Sequence, residues 1–516
     1  MSRARGRKLN AVRDVCQHQT TNSTCAGHTG TRKAIGVALL ERFRSLAIAV
    51  GAIGVAAPAI AGDLTITLSL EVRESFSDNV DLDPDGQEKS ALISEIVPGV
   101  TIRSESARVT ATYDAFPVLR HQTAGSDEGL SVAGGLAGRS TVEVAEDLFF
   151  VDSQSSISQQ VLSSRAAGST ANEETVQVHR ISPYLRSRFG GFADGEARYR
   201  LSNVSISGQE EAGADATSES TTHSLSLSLD SGRNFSRLRW SLNAFASKES
   251  RSDDDDVSRG EADFEVEYAF ERSFSVIAAA GAQLFDDGDQ ANEIEDPTWR
   301  LGFRWRPGPR TDLRATYGER DDDQSANVRF SYKIGPRTSI TARYAEVLEK
   351  PQERLVRNVS FIELDPETDQ FIDPQTGLPF DPNQSPFDID NETTRTKTFR
   401  LGLNGTRGRN TFGFNTAIQT EETEPGGEQQ DIINFGARFS RRLNPHLTGN
   451  LFAGYEHSEF DDGQKDDEYT FTGGLNYELY ANVRAALRYE FRLQDSTVEA
   501  SEFTENRVTV SLRITF

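Results

Sequence analysis

The chain has 516 residues, 36% of them hydrophobic and 26% charged, with a formal net charge of −24. It lacks the basic footprint of a nucleic-acid binder, and beyond residue 61 no apolar run approaches the ~18–20 residues of a membrane-spanning helix. What survives is a soluble multidomain protein, a partly disordered one, or a transmembrane β-barrel, in which only every second strand residue meets lipid.

The N-terminus predicts export. In RFRSLAIAVGAIGVAAPAIAG, Arg42 and Arg44 precede an apolar stretch from Leu46 to Ala57, and Ala59 and Ala61 form a small-x-small cleavage site. These are the parts of a secretory signal peptide, and the apolar stretch is too short to span a membrane. Segment 1–61 exceeds the ~15–30 residues of an ordinary signal, and Met1 is the only methionine. A misassigned start is therefore expected, with translation beginning near Val37. Cleavage removes nine Lys/Arg and two Asp/Glu, a net +7, together with Cys16 and Cys25, so residues 62–516 carry −31 and no cysteine. An exported chain of this kind has no disulfide framework and no CxxC metal or redox site.

From residue 64 onward the sequence alternates. LTITLSLEV places Leu64, Ile66, Leu68, Leu70 and Val72 on one face. ADFEVEYAF sets Ala262, Phe264, Val266, Tyr268 and Phe270 against Asp263, Glu265 and Glu267, and TWRLGFRW sets Trp299, Leu301, Phe303 and Trp305 against Arg300 and Arg304. YTFTGGLNY (469–477), NVRAALRYEFR (482–492) and RVTVSLRITF (507–516) repeat the pattern. Period-two alternation is the mark of strands with one apolar and one polar face; helical periodicity is not found after the signal. Short turns (SES at 104–106, GG at 190–191, SGRN at 231–234, PGPR at 307–310, GP at 335–336, GR at 408–409, NP at 444–445) take turns with longer acidic connections at 77–89, 252–256, 285–296, 319–324 and 460–468. Such a meander predicts an all-β fold over 62–516: a single up-and-down antiparallel barrel of about 22 strands, an even number between 16 and 22.

The polar phase decides between a soluble sheet and a membrane barrel. Inter-turn strands of ~10–14 residues exceed those of soluble sheets and match a tilted membrane crossing. A lipid-facing Arg near the midplane costs about 2–4 kcal/mol, and Arg198, Arg200, Arg300, Arg304, Arg484, Arg488, Arg507 and Arg513 all fall on the polar phase, making them candidates for the lumen wall. Aromatics gather at strand ends, as in interface girdles: Phe149 with Phe150, Trp299 with Trp305, Tyr477 and Phe516. The final strand carries Val508, Val510, Leu512, Ile514 and Phe516 on its apolar face. It resembles the sorting signal read by the outer-membrane assembly machinery, and a closing strand needs no tail because an open edge cannot sit in lipid. The expected location is the bacterial outer membrane, with lipid and lipopolysaccharide around the wall.

Several stretches, in order, resemble one family, the outer-membrane proteins associated with the exosortase/PEP-CTERM system of exopolysaccharide-producing bacteria. They are SDNVDLDPDGQEKSALISEIVPGVTI (77–102), EDLFFVDSQSSISQQ (146–160), ISPYLRSRFGGFADGEARYRLS (181–202), SLDSGRNFSRLRWSL (228–242), PTWRLGFRWRPGPRTDLRATYGERDDD (297–323) and DPQTGLPFDPNQSPFDI (373–389). Each motif is weak alone; their order carries the signal. The resemblance implies a barrel in a polysaccharide-export setting, with no established activity. Generic porin-like barrels are its neighbours.

Catalytic and metal chemistry finds little support. His121, His179, His223, His446 and His457 form no HxH or HxxxH pair, Ser231 in LDSGR is not a GxSxG elbow, and no phosphate-binding glycine motif occurs. No enzyme activity and no cofactor are expected. Asp253, Asp254, Asp255, Asp256, Asp286, Asp287 and Asp289 cluster the carboxylates that Ca²⁺ prefers, yet no EF-hand or RTX pattern contains them, and a solvated acidic surface is the plainer reading. The connection 349–392, with Phe361, Phe371, Phe380 and Phe387, is open to three readings: a constriction folded into the lumen, an outer loop touching glycans, or a mobile surface loop. With no plug domain expected before Leu64, the sequence favours a passive pore or export conduit for exopolysaccharide. The alternative is a non-conducting structural or adhesion barrel whose acidic outer loops bind cations or glycans.

Overall fold

The computed structural model describes residues 63–161, 173–207, 217–252, 256–288, 293–321, 323–350, 353–355, 363–364, 371–372, 392–424 and 426–516. The signal segment with Ala59 and Ala61 lies outside the described residues, as do Asp253, Asp254, Asp255, Asp289, Phe361, Phe380 and Phe387.

The alternating segments become strands. They are β1 (Asp63–Ser77), β2 (Ala91–Glu105), β3 (Val109–Gln122), β4 (Gly129–Ala145), β5 (Phe149–Val161), β6 (Glu173–Phe189), β7 (Ala193–Ser207), β8 (Thr217–Ser231), β9 (Leu238–Arg251), β10 (Val257–Ala269), β11 (Phe274–Asp286) and β12 (Ile294–Gly308). There follow β13 (Thr311–Arg320), β14 (Asp323–Gly335), β15 (Thr338–Glu349), a small ribbon of β16 (Glu363–Leu364) and β17 (Phe371–Ile372), then β18 (Thr394–Arg407), β19 (Asn410–Thr423), β20 (Gln429–Asn444), β21 (Leu447–Phe460), β22 (Lys465–Tyr480), β23 (Val483–Ser496) and β24 (Phe503–Thr515). Apart from the ribbon, every strand joins one 22-stranded antiparallel sheet, β15 pairs with β18, and β1 pairs with β24. The sheet is a closed outer-membrane β-barrel. Ten connections on one rim span two to six residues; those on the other run up to the 350–393 segment. Short turns mark the periplasmic rim.

Closure is specified twice. Nine residue pairs run from Ser69 with Thr515 to Ser77 with Arg507, and the Phe516 amide donates to the Leu68 carbonyl at 2.8 Å. At the loop rim, side chains lock the same seam. The Asn506 amide and Nδ2 donate to the two Asp78 oxygens at 2.7 and 2.8 Å. The Ser77 hydroxyl donates to Glu505 at 2.6 Å. Buried Asn79 donates from Nδ2 to the Thr504 carbonyl at 3.1 Å. The first connection thus folds down onto the seam, with Val80 buried against Ala91 and Ile93.

The outer face carries the apolar phase: Leu64, Ile66, Leu68, Leu70, Leu301, Val508, Val510, Leu512 and Phe516 are all exposed. Aromatic rings bound this belt. Near the loop rim Trp299 donates to Glu319 at 2.9 Å and Tyr489 to Asn506 at 2.8 Å; near the short turns Phe192, Phe235 and Trp240 pack together. An amphipathic ring with its polar tip turned to water belongs at such an interface. Within the wall, Tyr113 lies over its cross-strand partner Gly138, where a Cβ would come within 1.9 Å of the ring. Covering a glycine with the opposing ring pins the register.

Three predicted loops are shorter than the sequence suggested. The run 319–324 is a two-residue turn, with Arg320 and Asp323 paired in β13 and β14. Asp321 there takes a φ of 54°, its amide donates to Gln283 at 3.0 Å, and Arg320 reaches Glu261 at 2.7 Å. Partners on β11 and β10 thus hold a backbone amide and an arginine of this turn, and β13 and β14 pair up to Arg320 and Asp323. Glu295 and Asp296 likewise belong to β12, and Lys465 to Glu468 to β22.

All three tryptophans, Trp240, Trp299 and Trp305, lie on the outer face. Tryptophan fluorescence of the protein reconstituted in brominated lipids is expected to be strongly quenched, while aqueous iodide leaves it nearly unchanged; the reverse pattern would contradict the assignment of faces.

Candidate functional site: the lumen wall and a crossing segment

Inward positions alternate with outward apolar ones, so every strand contributes polar side chains to the lumen. Arg198 donates to Asp152 at 2.6 Å and Glu196 at 2.8 Å and stands 3.7 Å over the Tyr184 ring. Arg200 donates to Ser226 at 3.1 Å. Arg300 reaches Asp263 at 3.1 Å, and Arg304 grips both carboxylate oxygens of Asp312. Arg488 pairs with Glu490 at 2.7 Å and Arg507 with Glu505 at 2.8 Å. Arg484 and Arg513 sit directly opposite each other on β23 and β24. With Arg103, Asp63 and Glu105 they line a recess of about 690 Å³ at the short-turn rim.

Register brings Arg304 together with four arginines that sequence reading did not single out. Arg304 stands opposite Arg314, Arg314 opposite Arg329, Arg329 opposite Arg343, and Arg343 opposite Arg400. Five guanidinium groups therefore form one row across β12, β13, β14, β15 and β18. All five lie on the polar phase of their strands, a signal visible in the sequence; their alignment is not.

The start of the 349–392 connection turns inward. Leu348, at the end of β15, is buried against Val257 and Phe285 of β10 and β11. The Arg259 guanidinium donates to the Leu348 carbonyl at 2.7 Å, contacts Glu353 at 3.3 Å and lies 4.8 Å over the Phe285 ring. A helical turn at 353–355 follows. Its Leu355 is buried against Val176 and Val178 of β6 and Val204 and Ile206 of β7. Along the wall β8 to β14 stand between β7 and β15, so this contact is made across the lumen. Arg354 is hydrogen-bonded to Glu421 of β19, and at the far end of the connection the Thr393 hydroxyl donates to Asp287, which also faces Lys350 at 3.9 Å. The sequence left three readings of this loop open; its described residues 350 and 353–355 take the inward one. Phe371 lies in the β16–β17 ribbon.

The remaining acidic candidates hold protein partners. Asp256 pairs with Lys248 at 2.8 Å, Asp286 accepts from the Gly288 amide at 3.0 Å, and Asp287 is engaged as above. Among the described residues no group of three or more His, Cys, Asp or Glu could hold a metal ion. His179 contacts Ser155, His223 contacts Tyr199, and His457 contacts Asp467.

Comparison with known proteins agrees with this geometry. A family model described as "Gram-negative porin" matches residues 120–352, and one described as "Putative beta-barrel porin 2" matches residues 408–516. The chain is a porin-like barrel of the outer membrane. No curated protein matches it. Among solved structures it is similar to the FrpB iron transporter from Neisseria meningitidis. The F5-1 variant apoprotein gives 10% identity and a TM-score of 0.51 over 87% of this chain and 81% of that one. The F3-3 variant gives 9% identity and a TM-score of 0.50 over the same shares. The siderophore receptor PirA from Acinetobacter baumannii gives 8% identity and a TM-score of 0.48 over 87% and 80%. At these identities the likeness concerns the fold alone.

One loop tie responds to pH. Asp81, in the first connection, accepts from the Ser126 amide and hydroxyl and from Lys89 at 2.8–3.0 Å. Partial burial pushes its carboxyl up, but the Ser126 and Lys89 donors outweigh this and hold it below the usual carboxylate range. A carboxyl depressed in the folded state stabilises above its unfolded pKa of about 4 and loses that contribution as pH falls through the lower folded value. Exchange of the Ser126 amide is expected to accelerate, relative to intrinsic rates, below about pH 4 in the native barrel, and an Asp81→Asn variant should lack this pH step.

Proposed function

We propose that this barrel is a passive, constricted pore of the bacterial outer membrane, acting as an export conduit for exopolysaccharide and not as an enzyme. The carrying observation is the helical turn 353–355 held across the lumen by Leu355 on β6 and β7, Arg354 on Glu421 of β19 and Glu353 on Arg259 of β10. A segment anchored at several points on the wall narrows the passage without closing a separate domain over it. The polysaccharide setting comes from the ordered sequence resemblance, and the arginine-lined wall is compatible with it. Outer-membrane lipid and lipopolysaccharide contact the apolar belt, the assembly machinery reads β24, and the exopolysaccharide passes through the lumen. The buried first connection, with Val80 and Leu82 packed at the loop rim, favours a second reading: a sealed structural or adhesion barrel that uses its acidic loops outward.

Conductance of the purified protein in planar bilayers separates the two readings. A pore gives steady channels. Leu355→Ala removes about 2–3 kcal/mol of docking, enough to raise the undocked population by one to two orders of magnitude, and is expected to give larger or noisier channels. A folded barrel that never conducts, in either form, would overturn the pore reading and leave the sealed one.

A further inference from the structure

We propose that the outer face of β18, β19 and β20 at the short-turn rim is a binding site for anionic phospholipid of the inner, periplasmic leaflet, built from Arg407, Arg409 and Arg441. Such a site serves a conducting and a sealed barrel alike.

These arginines take the unusual side of the wall. A cation on the lipid-facing phase is costly near the midplane and tolerated only near an interface. Most wall arginines, Arg304, Arg484 and Arg513 among them, fall on the inward phase. Arg407 and Arg441 depart from this. Arg407 continues the phase of Leu403, which pairs with the exposed Phe414, and Arg441 follows the exposed Phe439 by two residues. Among the described strand residues they are the only outward-phase cations toward the short turns; the others, Lys248, Arg395, Lys397 and Lys465, lie toward the loop rim. Three of those four hold a carboxylate: Lys248 that of Asp256, Arg395 that of Glu424 and Lys465 that of Glu459. Arg407 and Arg441 have no carboxylate of a described residue within 4.0 Å.

Register gathers them. Arg407 stands opposite Asn410, and Asn410 opposite Arg441, so the three form one row about 10 Å long at ~4.8 Å per strand. The chain passes from β18 to β19 through Gly408, at a φ of 64°, and Arg409, whose carbonyl accepts from the Arg442 amide at 3.0 Å. On the other flank the Arg337 carbonyl accepts from the Thr406 amide at 2.9 Å. Arg337, Arg407, Arg409 and Arg441 are all exposed. One outward step up the wall runs the row Gly405, Phe412, Phe439 and Leu451, with the Phe412 ring over Gly405. Two strand residues cover about 6.6 Å, the depth of the headgroup layer outside the hydrocarbon. A phospholipid fits this arrangement with its acyl chains on the rings and its phosphate at the guanidinium forks, which match phosphate oxygens in pairs.

Turn length favours lipid over a soluble periplasmic partner. A two-residue turn keeps Arg409 at headgroup depth, where it cannot project as a docking arm. The surroundings are basic as well. From the β8–β9 turn to the β20–β21 turn, six consecutive short turns hold Arg233, Arg237, Arg272, Arg310, Arg337 and Arg409 against a single acid, Glu271, although residues 62–516 carry −31. Basic residues at a membrane surface attract anionic lipid, and the 407–441 row is where this arc faces the bilayer.

Native mass spectrometry of the processed protein, purified in detergent, provides the test, with three probes: phosphatidylglycerol, phosphatidylcholine of the same acyl chains, and soluble glycerol phosphate. Phosphatidylglycerol is expected to be retained at least about fivefold above phosphatidylcholine, and glycerol phosphate not at all. Arg407→Gln with Arg441→Gln should remove most of that preference, and Arg407→Lys with Arg441→Lys should keep part of it, which separates lost charge from lost fold. Arg233→Gln with Arg272→Gln, an equal loss of charge more than ~20 Å away along the rim, should leave the preference unchanged. Equal retention of the two lipids by the unaltered protein would overturn the site before any variant is made. An unchanged preference in the 407/441 glutamine variant, or an equal loss in the distant one, would overturn it too. Binding to isolated peptidoglycan sacculi that the 407/441 glutamine variant loses, without any lipid preference, would assign the row to a periplasmic polymer and refute the lipid site.

Discussion

In lipid, no backbone N–H or C=O can turn to water, and each one left unpaired costs several kcal/mol. The barrel depends on this constraint more than on any packed core. A sheet of 22 strands meets it only if its last strand finds its first, and the chain specifies that meeting in two ways. Backbone pairs run from Ser69 to Ser77. A polar clamp of Asp78, Asn506, Ser77 and Glu505 then holds the loop rim, where water would otherwise compete for the same groups. With the seam fixed, every other strand is set by its hairpin partner. Glycines covered by Tyr113 and Phe412 on adjacent strands add local register marks where a small residue alone would let the pairing slip.

Closure also divides the side chains. The outer face needs only to be apolar and bounded by rings with polar tips, and this undemanding rule is why the belt reads so plainly. The inner face has no such uniformity. It must satisfy many charged groups at limited hydration, and the protein does so mostly by pairing arginine with aspartate or glutamate on the same or the next strand. Such pairs stabilise little relative to apolar residues of similar size, but each is costly to break. The wall is therefore a fixed electrostatic surface. Against it lies the described turn 353–355, which buries Leu355 on an apolar inner patch of Val176, Val178, Val204 and Ile206. That patch has the wrong polarity for a water-filled lumen unless something covers it.

Legibility followed the same division. Strand number, faces and the closing strand could be read because period-two alternation is a local property, and turns such as GP at 335–336 and PGPR at 307–310 fix the register of their own hairpins. From those two turns alone, the closeness of Arg304 to Arg314 and of Arg329 to Arg343 was within reach, although a bulge beside each turn shifts the pairing by one residue. The link between the two pairs was not. It passes through 321–322, where ERDDDQ has the composition of a solvated loop but makes a tight turn because Gln283 and Glu261, on strands distant in sequence, capture Asp321 and Arg320. The last step, Arg343 to Arg400, spans the 350–393 connection, and no local rule sets register across such a length. The inward course of Leu355 was hidden for the same reason: its partners lie near residues 176 and 204, and only closure brings them opposite.

The charge balance of the chain then takes on a spatial meaning. Residues 62–516 carry −31, yet the acids are unevenly placed. They crowd the connections of the loop rim, as at Asp81, Asp83, Asp85 and Glu88 or at Asp286 and Asp287, while arginines line the wall below. Fields from exposed charges fade within about 8 Å at physiological salt, so the acidic rim and the arginine-lined wall act separately.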